Sequence, residues 1–197
     1  VVYAGDPLFA EAAEQAFLLS DMTDPMSMGG GRSGATRAVA EFTAERLRGD
    51  TRIAAFSING WDTHAAQSNA LPRALSDLTT AITTLKSGLG PVWQKTAVLC
   101  LTEFGRTAAE NGTGGTDHGT GGAAIFAGGA LKGGQILGRW PGLDEAALYE
   151  RRDLMPTDDV RRYAAWALNG LFPIERSDIE GTIFPGVEIG SDVGLIA

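Results

Sequence analysis

The chain has 197 residues, of which 44% are hydrophobic and 20% charged, as is ordinary for one folded domain with its own core. A formal net charge of −8 argues against nucleic acid as a partner, because an acidic surface repels the phosphate backbone. No apolar run reaches the roughly 18 residues that a membrane span needs, and a single cysteine, Cys100, excludes an internal disulfide. We therefore expect one globular domain over residues 1–197.

The front of the chain has the pattern of two helices. Apolar residues recur at helical spacing over residues 6–20, and again over residues 35–48, where Gly49 ends the pattern. The segment between them, residues 21–34, is rich in Met, Gly and Ser. We interpret it as a loop rather than as a thioether metal site.

The middle of the chain predicts a strand, a helix and a second strand. Residues 52–58 form a short apolar run with β-branched and aromatic members, which is typical of a buried strand. Residues 71–86 have one apolar helical face, and residues 96–102 form the second strand. A helix joining two strands of one sheet implies that the strands are parallel, so we expect an α/β fold.

The rest of the chain is rich in glycine and ends in one more helix. Residues 112–134 contain ten of the 27 glycines and a third apolar run, residues 123–127. Residues 158–171 have the pattern of a helix with Thr157 as its N-cap. The tail beyond Pro173 is predicted to be irregular.

The two histidines of the chain, His64 and His118, each lie within two residues of an aspartate, Asp62 and Asp117 respectively. Carboxylate and neutral imidazole form a mixed ligand set that suits Zn²⁺, Mn²⁺ or iron. Two alternatives stay open: each carboxylate holds the ring nitrogen that faces away from the metal, or each aspartate caps a turn beside a surface histidine.

Glu103 and Arg106 flank a glycine at the end of the second predicted strand, where α/β proteins bind ligands. Glu103 could ligate a metal or act as a general base, and Arg106 could hold an anionic oxygen through two hydrogen bonds. The alternative is that the two side chains pair with each other.

Four strings carry a resemblance to a known family: GWDTHAAQ at residues 60–67, TEFGRT at 102–107, GGTDHGTGG at 114–122 and AGGALKGG at 127–134. They resemble a bacterial family called domain of unknown function 1501, whose members often carry a twin-arginine export signal. The resemblance implies a periplasmic or secreted protein. That family in turn resembles the alkaline phosphatase and sulfatase superfamily, which implies a three-layer α/β/α sandwich with a mostly parallel sheet.

The superfamily resemblance also implies a metal site at the strand ends. If only the residue letters are matched, Asp117 and His118 correspond to its Asp-His-Gly motif. If the order of the predicted strands is matched, which we prefer, Asp62, His64 and His118 correspond to the ligands of one divalent metal, Zn or Mn. Glu103 would then be a carboxylate of a second metal, although Phe104 stands where the superfamily has a histidine.

The implied function is that of the C-terminal part of a metal-dependent hydrolase acting on a small anionic phosphate or sulfate ester. Glu103 and Arg106 are the candidate catalytic residues. No Ser or Thr here matches the superfamily's nucleophile, so we expect it outside this chain, and a homodimer would cover an apolar face left by a missing half. The alternative is a non-catalytic binding or structural protein with the same fold.

Overall fold

The computed structural model describes residues 31–197 and divides them into two compact units. Of the described residues, the first unit contains 31–58 together with Ser76–Gly88, and the second contains Asn59–Leu75 and Leu89–Ala197. The helix predicted for residues 6–20 and nearly all of the loop predicted for residues 21–34 lie outside the described residues. Among the described helices, none has the length and hydrophobicity needed to cross a bilayer.

The first unit contains α1 (Gly31–Arg48) and the C-terminal part of α2 (Gln67–Leu89). Both predicted helices, residues 35–48 and 71–86, are confirmed, and each is longer than predicted. Most of the residues that they bury are small, such as Ala44 in α1 and Ala81 in α2, and Leu85 of α2 is buried with them. A Cβ atom on Gly88 would lie 2.7 Å from the Cβ of Ala44. Glycine at this position therefore allows the two helices to approach closely.

The buried strand predicted for residues 52–58 is wrong. This run has no regular secondary structure and is almost entirely exposed, with Ile53 at 67% and Phe56 at 37% relative exposure. A short apolar run forms a strand only where a neighbouring strand satisfies its backbone hydrogen bonds, and the described part of the chain pairs none with it. The predicted βαβ unit is therefore absent.

The described sheets are small and antiparallel, so the predicted three-layer sandwich with a mostly parallel sheet is also wrong. Strand β1 (Val98–Cys100) lies within the predicted strand 96–102 and pairs with β4 (Ile125–Ala127), with Leu99 opposite Phe126. Between them in sequence, β2 (Gly105–Arg106) pairs with β3 (His118–Gly119). Antiparallel strands need no crossover helix. The segment that connects β1 to β4 therefore contains no helix and includes the β2–β3 pair.

The C-terminal part of the second unit forms a core around α3 (Val160–Leu171). The helix is confirmed, but its N-cap is Asp159, which accepts a hydrogen bond from the Arg161 amide, and not the predicted Thr157. The tail is more regular than predicted: α4 (Arg176–Asp178) leads into a π-helical turn, Ile179–Ile183. Ala165 of α3 packs with three buried residues of the tail, Ile179, Val187 and Ile189.

Glu180 ties this tail together, and its contribution to stability should depend on pH. It accepts hydrogen bonds from the Arg176 guanidinium at 2.8 Å and the Ile189 amide at 3.0 Å, and these hold its pKa below the ordinary value. A carboxyl group whose pKa is lower in the folded state stabilises the protein at pH values above its unfolded-state pKa of about 4.3. This stabilisation is lost as the pH falls. We expect Glu180→Gln to melt below the wild type at neutral pH, with the difference shrinking below about pH 4.

Thermal melting of both proteins between neutral and acidic pH measures this effect. Glu175→Gln is the matched control, because it removes the same charge from a side chain that caps no backbone N–H at the start of α4. A melting difference for Glu180→Gln that stays constant down to acidic pH would contradict the assignment.

Candidate functional site

Two loops of the second unit are joined by backbone hydrogen bonds. The Thr116 amide donates to the Thr63 carbonyl at 3.2 Å, and the Ala66 amide donates to the Thr113 carbonyl at 3.1 Å. At the start of α2, the Gln67 amide donates to the Gly114 carbonyl at 2.8 Å. These bonds place the Asp62–His64 segment directly against the glycine-rich loop. The segment is thus positioned by the loop and not by the strand predicted for residues 52–58.

The β2–β3 pair brings a third segment to the same place. Arg106 lies opposite His118 in this pair, and Gly105 lies opposite Gly119. A Cβ atom on Gly105 would collide with the backbone of Gly121, and one on Gly119 would lie 2.6 Å from the carbonyl carbon of Arg106. Glycine is thus required for the two strands to approach this closely, and their approach sets the position of His118.

Asp62, His64 and His118 form a cluster whose potential ligand atoms all lie within 4.8 Å of one another. Asp62 Oδ1 lies 3.0 Å from His64 Nε2 and 2.8 Å from His118 Nε2. The three side chains are 57%, 47% and 51% exposed, respectively. The structure therefore brings together three of the four predicted metal ligands at a point that solvent can reach.

Three nitrogen atoms lie within hydrogen-bond distance of Asp62 Oδ1. Besides the two imidazoles, Arg106 Nη2 lies 3.0 Å away. The hydrogen bond from His118, the charge of His64 and the hydrogen bond from Arg106 lower the pKa of Asp62, so this carboxylate is ionised. An ionised oxygen facing two imidazole nitrogens requires either protons or a cation between them.

Asp117, the fourth predicted metal ligand, lies behind His64. Its Oδ1 is 3.2 Å from His64 Nδ1 and accepts a hydrogen bond from Asn111 Nδ2 at 2.9 Å. The bond from Asn111, followed by that from His64, lowers the pKa of Asp117. This arrangement matches the alternative in which a carboxylate holds the ring nitrogen that faces away from the metal.

Arg106 joins the segments of the site. It donates to the Trp61 carbonyl at 2.6 Å, to the Thr116 carbonyl at 2.7 Å and to Asp62. It therefore pairs with Asp62 and not with Glu103. Glu103 is exposed, and within residues 31–197 it makes no hydrogen bond or ion pair and does not join the three clustered ligands.

The sequence did not predict several residues that support the site. Phe104 stacks on His118 with ring centroids 4.0 Å apart and planes 14° apart, which fixes the plane of the imidazole. Gln67 Oε1 accepts hydrogen bonds from the hydroxyls of Thr63 and Thr116, each at 2.8 Å. Of the supporting residues, Asn111 had the clearest signal in the sequence. An asparagine before Gly-Thr-Gly-Gly is typical of a turn in which the asparagine side chain bonds the backbone that follows it.

The fold and the site define a protein with small antiparallel sheets and a candidate metal centre built on loops. The chain belongs to the family described as protein of unknown function (DUF1501), whose model matches residues 3–170. No curated protein and no solved structure matches the chain. The predicted membership is thus confirmed, whereas the further similarity to the alkaline phosphatase and sulfatase superfamily has no support.

Proposed function

We propose that the chain binds one divalent metal ion through Asp62 Oδ1, His64 Nε2 and His118 Nε2. The observation that supports this most directly is the convergence of these three atoms within 4.8 Å of one another. Two imidazole nitrogens and one carboxylate oxygen suit Zn²⁺, and Mn²⁺ is the second candidate. A cation at this point would take the place of the hydrogens that must otherwise lie between the ionised carboxylate and the two imidazole nitrogens.

We further propose that the protein is a hydrolase of small anionic phosphate or sulfate esters. Three protein ligands with an open position are typical of catalytic rather than structural zinc sites, and the half-exposed side chains leave room for a substrate. Arg106 and Arg152 add positive charge; Arg152 Nη2 lies 3.5 Å from the His118 carbonyl. When bound, a divalent ion would supply Lewis-acid activation of water and of an ester oxygen.

The hydroxyls of Thr63 and Thr116, which are close to the ligand residues in sequence, are not arranged as nucleophiles. Thr63 and Thr116 both donate their hydroxyl hydrogens to Gln67 Oε1, and Thr63 is only 5% exposed. A nucleophilic hydroxyl needs a base that takes its proton, whereas an amide oxygen only holds these two hydroxyls in place. This favours water as the attacking group.

The test is turnover of aryl phosphate and aryl sulfate with added Zn²⁺ or Mn²⁺. We expect metal-dependent hydrolysis that Asp62→Asn lowers by at least about 100-fold, because the variant loses an ionised ligand. The matched control, Asp144→Asn, removes the same charge from an exposed residue that makes no side-chain capping bond, and it should leave the rate unchanged.

A second candidate function is metal binding without turnover. Phe104 favours it, because its ring covers one face of His118 and a phenyl ring offers no ligand atom for a second metal there. Metal binding that Asp62→Asn abolishes, in a protein that hydrolyses neither ester, would select this alternative.

A further inference from the structure

We propose that Asn111 is a positioning residue that fixes the orientation and tautomer of His64 through Asp117. This inference rests on the proposed metal site and extends it to a residue outside the ligand cluster. Asn111 Nδ2 donates one hydrogen bond to Asp117 Oδ1 and another to the His64 carbonyl, both at 2.9 Å. One amide group thus holds both the backbone of His64 and the carboxylate that faces its ring.

The orientation of the Asn111 amide is determined by its other end. Asn111 Oδ1 accepts hydrogen bonds from the backbone amides of Thr113 and Gly115, each at 3.0 Å. Backbone N–H groups can only donate, so the oxygen must face them, and Nδ2 must face Asp117. The turn at residues 111–115 therefore prevents the amide from flipping.

This orientation determines which nitrogen of His64 is protonated. Asp117 Oδ1 already accepts a hydrogen bond from Asn111 Nδ2, and an aspartate carboxylate at neutral pH has no hydrogen to give. The hydrogen between Asp117 and His64 must then be on Nδ1, so that a neutral ring, the form that binds a metal, has its lone pair on Nε2, the atom that faces Asp62. Nε2 is the atom that the proposed metal site requires.

Asn111→Asp tests this role with little change in shape. The new carboxylate keeps an oxygen for the amides of Thr113 and Gly115, but it replaces the donor with an acceptor that faces Asp117 and the His64 carbonyl. We expect the affinity for Zn²⁺, measured by calorimetry on the folded chain, to fall by about 10–100-fold. Asn69→Asp is the matched control, since it makes the same change at an exposed position in the first turn of α2, and its affinity should equal that of the wild type.

A second measurement uses the metal-free protein. Long-range ¹H–¹⁵N NMR of the imidazole should show a hydrogen on Nδ1 of His64 in the wild type and in Asn69→Asp, and loss of that hydrogen in Asn111→Asp. If Asn111→Asp does not fold, Asp117→Ala breaks the same link while leaving the turn of Asn111 intact, and it should give the same two losses.

The outcomes separate this inference from the proposed function. A wild-type chain that binds no Zn²⁺ would overturn the metal site, while the tautomer in the metal-free variants would still decide the role of Asn111. Wild-type affinity and an unchanged tautomer in Asn111→Asp, or in Asp117→Ala where that variant replaces it, would overturn the role of Asn111 alone.

Discussion

Replacing His118 with alanine is expected to weaken Zn²⁺ binding by more than about 100-fold. Loss of a residue that only hydrogen-bonds to a metal ligand already lowers metal affinity by about 10–100-fold. His118 Nε2 lies 2.8 Å from Asp62 Oδ1, and only His64 would remain to supply nitrogen. His64→Ala should give a similar loss. Calorimetry of the metal-free chain with Zn²⁺ measures both changes.

Glu103→Ala is the informative control for this experiment. The resemblance to two-metal hydrolases made Glu103 a candidate ligand of a second ion, but the cluster consists of Asp62, His64 and His118 alone within residues 31–197. A one-metal site should keep its affinity when Glu103 is removed. Equal losses for Glu103→Ala and His118→Ala would contradict the one-metal geometry, and undiminished binding in both histidine variants would contradict the site itself.

The sequence predicted the members of the candidate site better than it predicted the fold around them. The closeness of each histidine to an aspartate singled out Asp62, His64, Asp117 and His118, and the superfamily resemblance grouped the first two with His118. These three are the residues that converge. Their convergence was expected at the edge of a parallel sheet, yet it arises from backbone bonds between two loops and from the β2–β3 pair.

The errors in the fold prediction share one physical cause. The residue pattern of 52–58 is that of a strand, but strand formation depends on a partner elsewhere in the chain, which a local pattern does not reveal. The direction of β1 was likewise inferred from a helix beside it in sequence, whereas its actual partner is β4. Helices depend on local spacing, and α1, α2 and α3 were accordingly predicted.

The supporting contacts were even less accessible from the sequence. Asn111 and Asp117 meet across a turn of seven residues, but the contact of Asn111 with the His64 carbonyl joins positions 47 apart. Gln67 receives the hydroxyl of Thr116 across 49 positions. Such pairings depend on the path of two loops, so Gly115, whose missing Cβ lets the two loops touch, is a sensitive position for a test.

Gly115→Ala is expected to destabilise the protein by about 3 kcal/mol, at the upper end of the usual cost of overpacking. A Cβ atom on Gly115 would collide with the Thr63 carbonyl oxygen and with the backbone carbon of His64. Both atoms belong to backbone that is held by hydrogen bonds, so neither can rotate away as a flexible side chain would. The free energy of unfolding from urea denaturation measures the loss, and Zn²⁺ affinity should fall with it, because the same collision displaces His64.

Gly112→Ala is the matched control three residues earlier in the same loop. A Cβ atom on Gly112 would meet nothing within 4 Å, and its φ angle lies outside the left-handed range that disfavours alanine. Alanine there restricts the unfolded chain more than glycine does, so we expect unchanged stability or a gain of up to about 1 kcal/mol, with Zn²⁺ affinity retained. Equal stability of the two variants would mean that the loop can move away from Thr63 and His64, and that its close contact with them does not hold the site in place.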